Sequence, residues 1–224
     1  VFAIVTKDGW MKRIRSSNDA SKTKIREGDE FLFVGEANTK DSIAIFSSLG
    51  NVYVTKVYDL ASTSGYGDPV QKLFKFKDGE QIVSCMIVNR SGAVGEDLFD
   101  KANPSELFFY TRSGYGFRIE AEEYLTDTKK NGKRLVRVGK DDVLQGVEVA
   151  DKKFLVLVSE EGYVLSMLLS EVSQLSGPGK GVILQKLPKE DTLVVAKVVD
   201  KKDKFSVHVT QGKSKEIDVS SLSI

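Results

Sequence analysis

Five stretches of the 224-residue chain repeat one pattern: an apolar run, a short polar turn ending in glycine, then a second strand-like run. They read FAIVTKDGWMKRI, IAIFSSLGNVYVTKV, LFFYTRSGYGFRI, FLVLVSEEGYVLSML and FSVHVTQGKSKEIDV, with turn glycines Gly9, Gly50, Gly114, Gly162 and Gly212. A glycine after two or three polar residues, between β-branched and aromatic runs, closes a hairpin through the left-handed region, where other residues are strained. Alanine at any of the five is expected to cost roughly 1 kcal/mol or more. Repetition of this kind restricts the chain to an all-β fold assembled from modules.

A second piece recurs between the hairpins: KIREGDEFLFVGEA, PVQKLFKFKDGEQIVSCMIV, KRLVRVGKDDVLQGVEV and KGVILQKLPKEDTLVVAKVV. Each carries a charged turn, at Gly28 and Asp29, Gly79 and Glu80, Lys140 to Asp142, and Lys189 to Asp191. Hairpin plus connecting piece makes a module of about four strands, and glycine-to-glycine spacings of 41, 64, 48 and 50 residues suit a propeller-type blade. The longest spacing contains the polar insert NRSGAVGEDLFDKANPSE, which reads as a surface loop. The expectation is one domain over 1–224, a propeller-like disc of about five four-stranded blades, with repeats near 1–42, 43–106, 107–153, 154–204 and an incomplete 205–224. The last blade either borrows a strand from the beginning or is finished by residues beyond 224.

Catalytic chemistry finds little to work with. The single histidine, His208, lies mid-strand with no cysteine, second histidine or carboxylate pair at ligand spacing, so it reads as a strand residue rather than a metal ligand or base. Cys85, the one cysteine, sits in the apolar run IVSCMIV and reads as a buried inert thiol; no disulfide can form within the chain. Acidic neighbours such as Glu122 and Glu123, Glu160 and Glu161, or Asp141 and Asp142 face opposite ways on a strand and suit solvated turns better than acid/base dyads. SGPGKGV around Gly177 lacks the GK[ST] ending and following helix of a phosphate loop. No apolar run approaches the roughly 18 residues of a membrane span, and the first residues show no secretory leader, which points to an intracellular protein.

What remains is basic charge at repeated places. Lys12, Arg13 and Arg15 follow the first hairpin, then Lys22, Lys24 and Arg26; Lys56 follows the second; Arg112 and Arg118 accompany the third, then Lys129, Lys130, Lys133 and Arg134; Lys180 and Lys186 come later. Recurrence in a rotationally repeated unit would set these along one rim of the disc. Net charge is only +1, so attraction for a polyanion must come from arrangement. Phosphate contacts need positive charge and donors but no base recognition, so such a rim would hold duplex DNA without reading sequence. A different class of function, a protein-interaction propeller, would use Trp10, Tyr66 and Tyr115 as anchors.

The strings DGWMKR, FSSLGNVYVTKVYDL, SGYGDPVQKL, SGYGFRIEAEEY and LSGPGKGVILQKL together resemble the C-terminal domain of bacterial type IIA topoisomerase A subunits. The resemblance covers nearly the whole chain and implies a β-pinwheel, a disc whose modules exchange strands and whose basic rim bends DNA. It implies no catalytic site and no cofactor in this domain: the cleaving tyrosine, and the ATP and Mg²⁺ of the full enzyme, belong elsewhere. Implied partners are duplex DNA, the catalytic core of the same polypeptide and the ATPase subunit of a heterotetramer, in the bacterial cytoplasm at the nucleoid, with the isolated domain monomeric and no membrane involved. In the A subunit of gyrase, a basic glycine-rich box of the form QRRGGRG follows the first hairpin. The corresponding RSSNDASKTKIREGD has none, which resembles the A subunit of topoisomerase IV more closely, with that of gyrase as the alternative.

Overall fold

The computed structural model describes residues 1–16, 19–90, 103–208 and 214–223. Among these residues the chain forms strands joined by turns and single-turn 3-10 segments, with no α-helix. The strands are β1 (Phe2–Thr6), β2 (Trp10–Ile14), β3 (Phe31–Glu36), β4 (Ser42–Ser47), β5 (Asn51–Lys56), β6 (Asp68–Pro69), β7 (Ile82–Val88), β8 (Glu106–Thr111) and β9 (Tyr115–Glu120). They continue with β10 (Lys133–Arg134), β11 (Leu144–Val149), β12 (Phe154–Ser159), β13 (Val164–Leu168), β14 (Gln174–Leu175), β15 (Val182–Ile183), β16 (Leu193–Val199), β17 (Lys204–His208) and β18 (Ser214–Asp218). The long strands are the hairpins and connecting strands that the repeat announces. The two-residue strands are short because each is only the part of a connector that touches the blade before it.

Pairing confirms an all-β, propeller-like arrangement and corrects the blade count. The sheets run β3-β1-β2-β6, β7-β4-β5-β10 and β11-β8-β9 with β14 and β15 both on β9, followed by β16-β12-β13 and the hairpin β17-β18. Among the described residues there are thus four blades of three to five strands and a two-stranded fifth, not five of four. The reason is exchange: β6, β10 and β15 belong by sequence to one module and pair antiparallel with the second hairpin strand of the previous one. Among the described residues no such segment reaches β13.

The connecting strands β3, β7, β11 and β16 pack side by side in that order at the inner side of the blades. First hairpin strands are apolar at nearly every position because both their faces are covered. Ile43 and Ile45 of β4 face one core, shared with Ala3 and Val5, while Ala44 and Phe46 face the next, shared with Leu107 and Phe109. Phe108 and Tyr110 likewise meet Leu155 and Leu157, and Val156 and Val158 meet Ile217. Four cores therefore lie between successive blades, with strand alternation sending neighbouring side chains into adjoining cores. Phe46 meets Phe109 edge-on at 6.1 Å within one of them.

Gly9, Gly50, Gly114 and Gly162 all adopt positive φ, from 79° to 89°, as the hairpin reading requires; Gly212 lies outside the described residues, as does most of the polar insert, 91–102. The charged turns are more than solvated loops. Asp29, Glu80, Asp142 and Asp191 are buried, which corrects the reading of Asp142 as solvated. One carboxylate oxygen of Asp29 accepts the Asp8 and Glu30 N–H groups at 3.1 and 2.8 Å; Asp142 does the same for Ser113 and Val143, and Asp191 for Glu161 and Thr192. In the second module Glu80 accepts instead from the Ser47 and Tyr53 hydroxyls, Asn51 Nδ2 and the Lys77 N–H. Each acid ties the connecting turn to its own hairpin, fixing the angle between them.

Candidate nucleic-acid interface

The exchanged connectors align on Gly67, Gly132 and Gly181, with φ of 92°, 65° and 81°. Each glycine lies flat against the previous blade, where a Cβ would come within 2.3 Å of the Met11 carbonyl oxygen, 2.8 Å of the Val52 oxygen and 2.3 Å of the Gly116 oxygen. Only glycine satisfies both the dihedral and the approach. Three residues on, the N–H groups of Val70, Leu135 and Leu184 donate to the carbonyls of the hairpin glycines Gly9, Gly50 and Gly114 at 2.9, 2.9 and 2.8 Å. Each connector is thereby pinned at two points.

This register carries a charge pattern. Five residues after each connector glycine stands a base, Lys72, Arg137 or Lys186, and eight after stands a lysine, Lys75, Lys140 or Lys189; all six are exposed. Successive connectors also touch, through the Lys75 N–H to the Lys130 carbonyl and the Arg137 N–H to the Gly179 carbonyl, both at 2.8 Å. The connectors form a continuous belt with basic residues at equivalent places. The sequence reading places Lys186 on the rim but not the other five, of which Lys140 and Lys189 enter it only as parts of charged turns. Their signal in the sequence is the fixed spacing from Gly67, Gly132 and Gly181, which differ from the hairpin glycines. SGPGKGV is the third of these connectors.

Of the residues expected on the rim, Arg15, Lys22, Lys24, Arg26, Lys56, Arg112, Lys129, Lys130, Arg134, Lys180 and Lys186 are exposed, and Lys133 is half-buried against Glu123 and the Tyr124 ring. Three others have structural partners. Lys12 is 1% exposed, and its ammonium donates to the carbonyls of Lys24 and Gly65 at 2.5 and 2.7 Å. Burial pushes its pKa below the ordinary value, and the ion is unavailable to phosphate. Arg13 and Arg118, at the same place in their hairpins, donate Nε–H to the carbonyls of Leu60 and Val172, where the chain leaves the following hairpin; Arg118 also holds Glu106 at 2.9 Å. These two arginines latch incoming connectors.

The aromatic candidates turn out to carry cations. Arg26 lies over Trp10 and Lys24 over Tyr66, each 4.8 Å from the ring centroid, and Lys180 lies over Tyr115 at 4.0 Å. Such stacking orients long basic side chains that would otherwise sample many rotamers. His208 bonds Ser214 through Nδ1 at 2.7 Å in the terminal hairpin. Cys85 is half-buried rather than buried as expected, and desolvation pushes its thiol pKa above the ordinary value. Among the described residues no cluster of three or more His, Cys, Asp or Glu side chains comes together to hold a metal, and no helix is long and apolar enough to cross a membrane.

Comparison with known proteins agrees with this geometry. A family model described as "DNA gyrase C-terminal domain, beta-propeller" matches residues 41–89, 105–151 and 153–200, more than half of the chain. The A subunit of DNA topoisomerase 4 from Caulobacter vibrioides is 28% identical over 83% of the chain and 22% of that protein. The A subunit of DNA gyrase from Haloquadratum walsbyi is 29% identical over 97% of the chain and 26% of its own length. The chain thus spans about a quarter of these relatives. A crystal structure of the C-terminal domain of DNA topoisomerase IV superimposes with a TM-score of 0.83 at 24% identity, covering 100% of this chain and 68% of that one. Family match, strand exchange and repeated connectors converge: the chain belongs to the DNA gyrase C-terminal domain family of β-propellers.

Proposed function

We propose that the connector belt binds duplex DNA through its phosphates, without reading base sequence, and bends it along the outer side of the blades. The observation that carries this reading is the exposed base five and eight residues after each of three connector glycines. A duplex offers phosphates at regular intervals, and a belt with equivalent cations in successive blades meets them repeatedly. Neutralising several phosphates offsets a bending cost on the order of 1 to 6 kcal/mol for 20 to 30 base pairs. Lys24, Arg26 and Lys180, held over aromatic rings, extend the positive surface beyond the connectors. Because the three rings lie under cations, they are poor anchors for an apolar protein partner.

Within a longer polypeptide of the type IIA topoisomerase kind, such a domain would present DNA to a catalytic core and contribute no bond chemistry. The first loop favours a topoisomerase IV-like role over gyrase-like wrapping. It has no QRRGGRG-type box, and the Lys24 carbonyl within it is fixed by the Lys12 ammonium. Gel shifts with relaxed and supercoiled duplex test the binding. Unchanged affinity after neutralisation of Lys72, Arg137 and Lys186 would remove the belt from the site. Comparing decatenation with supercoiling by an intact enzyme carrying this domain separates the two subtypes.

A further inference from the structure

Charge changes sign along each connector. Connectors run from the outer strand of one blade to the innermost strand of the next: β6 on β2 leads to β7, β10 on β5 to β11, and β15 on β9 to β16. Along that path exposed bases come first and an exposed acid comes last, in the turn before the inner strand. The order is Lys77 then Asp78, Lys140 then Asp141, and Lys189 then Glu190; Arg26 then Glu27 repeats it ahead of β3. Among the described residues none of these four acids forms a salt bridge, whereas the nearby Glu30 and Asp68 do. Backbone conformation adds a second observation. The residue before the buried acid of the turn is left-handed in three modules: Gly28 and Gly79 at φ of 81° and 76°, and Glu190 at 75°, the one non-glycine residue at positive φ among those described. A glutamate is strained there and a glycine is not. An acid is thus kept at the inner end of this turn against its backbone preference.

We propose that Glu27, Asp78, Asp141 and Glu190 form a repelling fence, one charge per module, that bounds the DNA path on its inner side and confines duplex to the outer part of the belt. The proposal rests on the belt reading and adds a boundary that the bases alone do not supply. Attraction fades gradually over a screening length of about 8 to 10 Å, so a row of cations by itself would let the duplex drift across the end of the disc toward the inner strands. Acids placed just inside the cations make that displacement unfavourable, because phosphates moving inward meet like charge. The device works by exclusion, so the acids touch no ligand and are most effective when exposed and unpaired. Their recurrence in step with the connectors leaves a path that follows the blades instead of crossing the disc.

The test compares two variants of the 224-residue chain with the same change in net charge. One carries Glu27→Gln, Asp78→Asn, Asp141→Asn and Glu190→Gln. The control carries Glu36→Gln, Glu122→Gln, Asp151→Asn and Asp200→Asn, exposed acids at or beyond the opposite ends of β3, β9, β11 and β16. Duplex affinity at about 0.1 M salt is expected to rise at least about tenfold in the first and less than about threefold in the control. Lysine acetylation read by mass spectrometry locates the DNA. On the unsubstituted chain, duplex should protect Lys72 and Lys186 and leave Lys77 reactive; in the fence variant it should protect Lys77 as well. Equal gains in the two variants, unchanged affinity in both, or equal protection of Lys72 and Lys77 on the unsubstituted chain would each overturn the proposal. Lys72 and Lys186 left unprotected on the unsubstituted chain would instead remove the belt reading, and the fence with it.

Discussion

The Val70 N–H donates to the Gly9 carbonyl at 2.9 Å, so the second module's connector is fastened to the first module's turn. Gly67 makes that contact possible by lying against the Met11 carbonyl, and Gly181 does the same against Gly116. Gly67→Ala and Gly181→Ala combine positive φ with a backbone clash and should each cost roughly 2 to 4 kcal/mol. Gly79→Ala and Gly162→Ala, with open space around the added methyl, should cost about 1 kcal/mol. Urea unfolding of the four variants checks the separation; equal losses would mean that dihedral strain alone sets the cost.

Lys12→Met keeps the aliphatic stem but leaves the Lys24 and Gly65 carbonyls without their shared donor. Stability should fall by about 1 to 3 kcal/mol, and exchange of loop amides between 22 and 26 should quicken. Duplex affinity should fall less than for neutralisation of the exposed Lys186. A larger loss of affinity than of stability would place Lys12 in the DNA site.

Glu80 and Asp191 define the acid limb of stability. Burial of each carboxyl works to raise its pKa, and hydrogen bonds outweigh it, from Lys77, Ser47, Asn51 and Tyr53 for Glu80, and from Ser159 and backbone amides near Glu161 and Thr192 for Asp191. Both folded-state values therefore lie below the ordinary 4.5 and 3.8. Their stabilisation is complete above those values and is lost as pH falls through the folded pKa. Glu80→Gln and Asp191→Asn should lower stability at neutral pH and flatten its decline below about pH 4.5. Denaturation midpoints at several pH values provide the measurement; an unchanged acid limb in both variants would contradict the assignment.

Much of the fold was legible because hairpin glycines and alternating apolar runs are local. Gly50 and the strand SIAIFS announce their turn and their two buried faces without help from the rest of the chain. Exchange was less legible: nothing local to Asp68 and Pro69 says that they pair with Met11 and Trp10 of another module. The belt was hidden for the same reason, since Lys72, Arg137 and Lys186 become equivalent only once Gly67, Gly132 and Gly181 are aligned. Lys12 looked like any other exposed base because its burial depends on two loops, around Lys24 and Gly65, that are distant in sequence from it and from each other.

Salt dependence of duplex binding bears most directly on the belt. Each phosphate neutralised contributes about 0.9 to the slope of log affinity against log salt concentration. A Lys72→Gln, Arg137→Gln, Lys186→Gln triple variant should therefore bind duplex of any sequence more weakly, with a slope reduced in magnitude by about 2.7. A variant with native stability and an unchanged slope would contradict the account.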